Sequence, residues 1–235
     1  MKPTRQIGVV FATTMFVLLV ASAQSPQPTT LPVGSASLGE FKGEITVHAP
    51  DGSVLAADRG LVLAPESTID IGKGRLLLNL SDGSQVLVKD HSHVILKSPS
   101  QGLGFSLELT LGKVLAQIKK KLGDTPSFRL GTPTAVITVR GTRFEVEVDK
   151  KQRTRVEVFE GIVEVARLPG GTHSVLIRPG YLTRVQRDRD PEDPREVQRG
   201  DMSERRGDSI ERGRPGSGED QPGGTRPGGE APEHD

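Results

Sequence analysis

An all-β fold, either an elongated β-solenoid or a strongly bent β-sandwich of short strands, is predicted by three observations. Short runs of alternating apolar residues follow one another from Phe41 to about Val185: GEITV, GRLLLNL, QVLVKD, HVILKS, FSLEL and GKVLAQI among them. Turn signals such as Asp51-Gly52-Ser53 and Asp82-Gly83-Ser84 break these runs, and Asp-Gly supplies the positive backbone torsions of a two-residue hairpin turn. Finally, the apolar face changes parity inside TAVITVRGTRFEVEV (134–148): Ile137 and Val139 occupy odd positions, whereas Phe144, Val146 and Val148 occupy even ones.

That parity change asks for a corner. Gly141, lacking a Cβ, can adopt a left-handed conformation, and one extra residue there sends the following side chains to the other face. A second change falls at Gly161, between Val156 and Val158 on one side and Val163 and Val165 on the other. Two such corners on consecutive strands predict a sheet that turns over itself.

In chain order, Lys2 and Arg5 precede an apolar run from Ile7 to Val20, and Ala21-Ser22-Ala23 follows as a small-x-small cleavage signal. Residues 1–23 therefore read as a secretory signal peptide, or as an uncleaved anchor, and either way the remainder is exported. Residues 24–40 are rich in Pro, Ser, Thr and Gly and read as a linker. The β domain is expected over 41–185. Gly43-Glu44-Ile45-Thr46-Val47 with Asp51-Gly52-Ser53, and Gly74-Arg75-Leu76-Leu77-Leu78 with Asp82-Gly83-Ser84, suggest a repeated strand, turn and strand, with a looser copy around Gly161 and Gly170-Gly171; such turns are also what any β protein contains. Leu111 to Leu122 can be read at helical spacing, but Val114, Ala116 and Ile118 alternate, which favours a strand to Ile118 and a charged turn over 119–124. From 186 to 235 Arg, Asp, Glu, Pro and Gly dominate, and too few apolar side chains remain to offset the entropy of ordering, so a disordered, slightly acidic tail is expected beside a mildly basic domain.

Composition narrows function further. The net charge is +1, which provides no general attraction to nucleic acid or anionic membrane. With no cysteine there is neither a disulfide framework nor a thiolate metal site, so the exported domain must rest on its packed core. One Tyr, seven Phe and no Trp leave little for a stacking platform. His91 and His93 would share a face on a strand, with Asp90 or Asp82 as conceivable further ligands, yet solvated turn histidines are the simpler reading and no metal is expected. No Gly-x-Ser-x-Gly elbow, His-Glu-x-x-His helix or P-loop occurs; neither catalytic residues nor a cofactor are expected. Arg140 and Arg143 flank the Gly141 corner and could face an anion, but pairing with Glu145 or Glu160 is preferred. Lys119-Lys120-Lys121 reads as a solvated turn, and Arg199-Gly200-Asp201 and Arg206-Gly207-Asp208 as products of composition.

From Gly112 to Val165 the residues resemble a FecR-type domain: GKV, then FRLGTPTAV, VRGTRFEVEV and TRVEVFEGIVEV. The elements that carry the resemblance are Thr132-Pro133 leading into a strand, the corner Arg140-Gly141-Thr142-x-Phe144, and the closing strand pair around Gly161. The resemblance implies a solenoid-like all-β domain in the bacterial periplasm; the best-known members are transmembrane anti-sigma regulators that relay the state of an outer-membrane iron transporter. Those members place a cytoplasmic helical region ahead of the membrane span, whereas only Met1 to Gln6 precede the apolar run here, so direct sigma-factor control is not expected of this polypeptide. The expectation is a non-enzymatic periplasmic or surface protein-binding and scaffolding module that meets an envelope protein through sheet edges or a concave face, with no nucleic-acid partner and no stable membrane insertion once the signal is cleaved. Its alternative is a signalling component of a sigma-factor or transporter-linked pathway that works through a separate membrane partner.

Overall fold

The computed structural model describes residues 35–98, 104–120, 127–168 and 173–198. The expected signal peptide, most of the linker, the tail beyond 198, much of the 119–124 turn and the Gly170-Gly171 turn lie outside them. The described residues form fifteen strands: β1 (Ala36–His48), β2 (Val54–Leu55), β3 (Val62–Leu63), β4 (Thr68–Leu80), β5 (Gln85–Val88), β6 (Ser92–Lys97), β7 (Phe105–Gln117), β8 (Phe128–Gly131), β9 (Ala135–Val139), β10 (Arg143–Val148), β11 (Thr154–Glu160), β12 (Val163–Arg167), β13 (Ser174–Ile177), β14 (Tyr181–Val185) and β15 (Arg195–Glu196).

One hydrogen-bonded network joins all of them, and it is folded into two layers because the longest strands bend. The 13-residue strands β1, β4 and β7 each belong to both layers. Their first and second halves pair with different neighbours: β4 takes β6 along Thr68–Ile71 and β5 along Leu76–Asn79, and β7 takes β6 and β8 along its first half but β5 and β10 along its second. Layer I runs β2, β1, β4, β6, β7, β8, β9, β12, β13, and layer II runs β3, β1, β4, β5, β7, β10, β11, β14, β15. FSLEL and GKVLAQI, which look like separate runs, are thus one strand turned at Gly112, where φ is +95°. Later in the chain the crossing occurs between strands: β9 to β10 at Gly141, β11 to β12 at Gly161, and β13 to β14 at Gly180.

Between the layers lies one continuous core, with Val94, Leu107, Leu130, Ile137 and Val165 from layer I facing Leu78, Val86, Val114, Val146 and Val156 from layer II. Phe105 stacks on Phe128 at 6.4 Å within layer I, and Phe128 meets Phe144 of layer II edge to face at 6.3 Å, so the rings span the interface. The bent sandwich, not the solenoid, is the architecture of the described residues: neighbouring strands are antiparallel partners, and β7–β8 is the one parallel pair among them, whereas stacked coils would pair in parallel.

Three further expectations are corrected. Strand β1 begins at Ala36, inside the stretch that reads as linker, because backbone pairing with Leu80 and Leu63 holds those small residues. At the other end the ordered chain continues past 185: Glu192 N–H donates to Arg184 O, Thr183 Oγ1 to Glu192 O, and Val197 N–H to Gly180 O, a ladder that needs no apolar side chains. The Asp-Gly turns are not two-residue primed turns, since only the glycine has positive φ (+84° at Gly52, +77° at Gly83). Each is a type I turn closed by a left-handed residue, with Ser53 or Ser84 N–H donating to the Asp carboxylate at 2.9 Å. The same hydrogen-bond pattern recurs at Asp149–Arg153 with Gln152 in the left-handed place, φ +58°.

Candidate functional site

Site chemistry begins at the Thr132-Pro133 turn, which reverses the chain from β8 to β9. Thr132 Oγ1 accepts from Ala135 N–H at 2.9 Å and so closes the turn with its own side chain. Thr154, at the start of β11 in the other layer, donates to Thr132 Oγ1 at 2.8 Å, and its hydroxyl lies 2.7 Å from Thr134 Oγ1. All three hydroxyls are buried, so this small chain of hydrogen bonds pins one end of layer I to layer II. Thr132 and Pro133 stand out in the sequence, but Thr154 does not, because it lies more than twenty residues away and carries no local signal.

The two glycine corners stack. Gly141 has φ +68° and Gly161 φ +82°, and a Cβ on Gly141 would lie 2.5 Å from Lys120 Cβ, one on Gly161 2.7 Å from Thr142 Cγ2. Neither the torsions nor the space admits a side chain. Thr142 O accepts from Ile118 N–H at 2.8 Å, which ties the corner to the end of β7; the Thr142 hydroxyl is buried and has no hydrogen-bond partner among the described residues. Phe144 is fully buried in the core. Arg143 Nη1 stands 3.9 Å from Glu160 and its guanidinium 5.5 Å from the Phe159 ring centre. Arg140 lies at the rim of a groove of ≈ 420 Å³ shared with Ile162 and Leu176. Ile162 is 55 % and Leu176 63 % exposed, and among the described residues β13, which carries Leu176, pairs only with β12.

A second feature, on the outer face of layer II, left no trace in the sequence. Lys89 Nζ donates to Glu145 at 2.9 Å, Lys113 lies 3.3 Å from Glu147, and Arg155 Nη2 donates to Glu157 at 2.8 Å. The register sets Leu87, Leu115, Glu145, Glu157 and Leu182 side by side across five strands. All five are buried, at 8, 2, 8, 2 and 1 % exposure. The outward side chains of layer I, among them Asp70, His93, Glu108 and Thr138, are only half-buried.

His93 Nδ1 lies 2.5 Å from Asp70, while His91 sits in a left-handed turn beside Asp90. The two histidines therefore do not share a strand face, and among the described residues no group of three His, Asp or Glu side chains could hold a metal ion. Carboxyl groups displaced from their ordinary range sit at turns. Hydrogen bonds from Lys97 and Ser98 hold Glu66 low, and the same contact holds the Lys97 ammonium high. Burial would raise Asp149, but backbone and side-chain donors of Arg153 and the Lys151 N–H outweigh it and hold the carboxyl low.

This arrangement defines an all-β sandwich of bent strands with rigid corners, a charged outer face and an exposed apolar rim. The family model described as FecR protein matches residues 67–164 of the chain. Two crystal structures of a candidate anti-sigma factor from Parabacteroides distasonis ATCC 8503 are similar, each with 18 % identity and a TM-score of 0.46. The likeness covers 55 % of this chain and 59 % of that one, so this chain spans less than two-thirds of the relative's length. No curated protein matches the chain.

Proposed function

We propose that this protein is an exported, non-enzymatic binding module of regulatory type, in which the FecR domain docks an envelope protein. The observation that carries the reading is the FecR match itself, which encloses the Arg140–Phe144 corner and ends at Glu164 on β12, beside the rim of Ile162 and Leu176. Large apolar side chains exposed next to a strand edge that has no partner among the described residues suit strand addition, in which main-chain bonds supply affinity and alternate side chains supply specificity. The Lys2 to Ala23 pattern supports export to the periplasm or cell surface. The family match favours signalling through a separate membrane partner over passive scaffolding.

Affinity capture from the native envelope tests this. A chain with Ile162→Glu and Leu176→Glu should lose the captured partner while its urea midpoint stays near that of the parent, because both side chains are exposed. Equal capture by parent and variant would remove the rim from the account.

A further inference from the structure

A cleft of ≈ 610 Å³ opens where β4 and β7 bend, at the opposite end of β10 from the Gly141 corner and its apolar rim. Gly74 and Gly112 put bare backbone into its wall, the β5–β6 link and the β10–β11 hairpin supply the rest, and Arg75, Asp90, His91 and Lys150 stand exposed around it. We infer that this cleft binds a phosphoryl-bearing ligand of about the size of a sugar phosphate, at a site separate from the docking rim and independent of it.

Three observations carry the inference. The first is the pairing of charges around the cleft. Lys89 and Lys113 line it but already hold Glu145 and Glu147, and Arg153 holds Asp149, so none of these groups is available to a ligand. Arg75 and Lys150 also line it, and neither has an acidic partner among the described residues. The remaining acid of the lining, Asp90, lies 3.9 Å from the His91 imidazole. The second is Lys42, which the register sets directly opposite Arg75 and which likewise has no acidic partner among the described residues. Like charges opposite one another on neighbouring strands cost stability, and an anion beside them offsets that cost. The third is the backbone of His91, held at φ +53° with its N–H donating to Gly72 O at 2.8 Å. Glycine would fill that place without strain, so turn geometry alone does not call for an imidazole there; a donor at the mouth of the cleft does. A guanidinium fork, an ammonium and an imidazole on three different elements suit a tetrahedral dianion, since each can take a different oxygen. The same phosphoryl chemistry is offered by a soluble sugar phosphate and by a phospholipid headgroup.

The test uses the full chain in two arms: amide shifts followed with glucose 6-phosphate, and co-sedimentation with vesicles containing phosphatidylglycerol. Saturable shifts at Arg75, His91, Gly112 and Lys150, half-complete at about 1 mM or below, assign a soluble ligand; vesicle binding without them assigns the headgroup. In whichever arm binds, Arg75→Gln with Lys150→Gln should weaken binding at least about tenfold, and His91→Gly about threefold, with the urea midpoint at or above that of the parent. Arg59→Gln with Arg178→Gln removes the same charge from exposed positions elsewhere and should leave binding within about twofold. No saturation up to about 20 mM sugar phosphate together with no vesicle binding would overturn the inference. So would unchanged binding in either cleft variant, or equal weakening by the two charge-removing pairs, which would reduce the effect to general attraction.

Discussion

At the scale of single residues, stability rests on positions where chemistry and geometry leave one choice. Gly141→Val must force a β-branched residue into positive φ against Lys120; the expected cost is about 3 kcal/mol or more, seen as a large fall in the urea midpoint. Gly180→Ala is the matched control, with positive φ but no neighbour within 4 Å, and should cost only about 1 kcal/mol. The Lys89–Glu145 pair is buried, so Glu145→Ala removes the carboxylate to which Lys89 Nζ donates and should cost about 3 kcal/mol, whereas replacing both by Met and Leu should come out nearly neutral. Asp149 provides a pH signature. Its folded carboxyl is held below the ordinary range, so its contribution is complete above that range and is lost as pH falls through the folded value. From about pH 6 to about pH 3 the parent should lose up to about 1 kcal/mol more than Asp149→Asn, as the pair is partly exposed; equal slopes in urea unfolding would contradict this.

Elements form here by alternation and end at turns whose chemistry the sequence shows only in part. Asp51-Gly52 and Asp82-Gly83 were legible as turns because Asp accepts from the backbone and Gly takes the left-handed place. Their equivalent at Asp149–Arg153 was hidden, since Gln152 fills that place. Gln152→Gly should therefore stabilise the hairpin by about 0.5 kcal/mol, the relief of left-handed strain exceeding the entropy glycine loses on folding; a lower melting temperature would refute the assignment. Thr154→Val removes the hydroxyl shared by Thr132 and Thr134 and should cost about 1–3 kcal/mol. The corners at Gly141 and Gly161 were legible because strict alternation can change parity only where the backbone inserts a residue or turns. The bends inside β1, β4 and β7 were not: each was hidden between runs that look complete alone, and only pairing with different neighbours reveals one strand. The buried charge row was unreadable for a related reason, because Lys89, Lys113, Glu145 and Arg155 are ordinary outward residues until the register aligns them.

For the molecule as a whole, two layers share one core because strands cross between them at the corners. Most pairings join residues far apart in sequence, so folding should be slow, in the range of milliseconds to seconds. The layers also differ: layer I shows half-buried outward residues and an apolar rim at Ile162 and Leu176, while layer II has its charged outer face buried. All of this depends on β9 and β10 lying in different layers. Cross-strand proton contacts by nuclear magnetic resonance measure that directly: the account predicts Ile137 opposite Leu130 and Val165, and Val146 opposite Val114 and Val156. A ladder of contacts between β9 and β10 themselves, as in a flat hairpin, would contradict it.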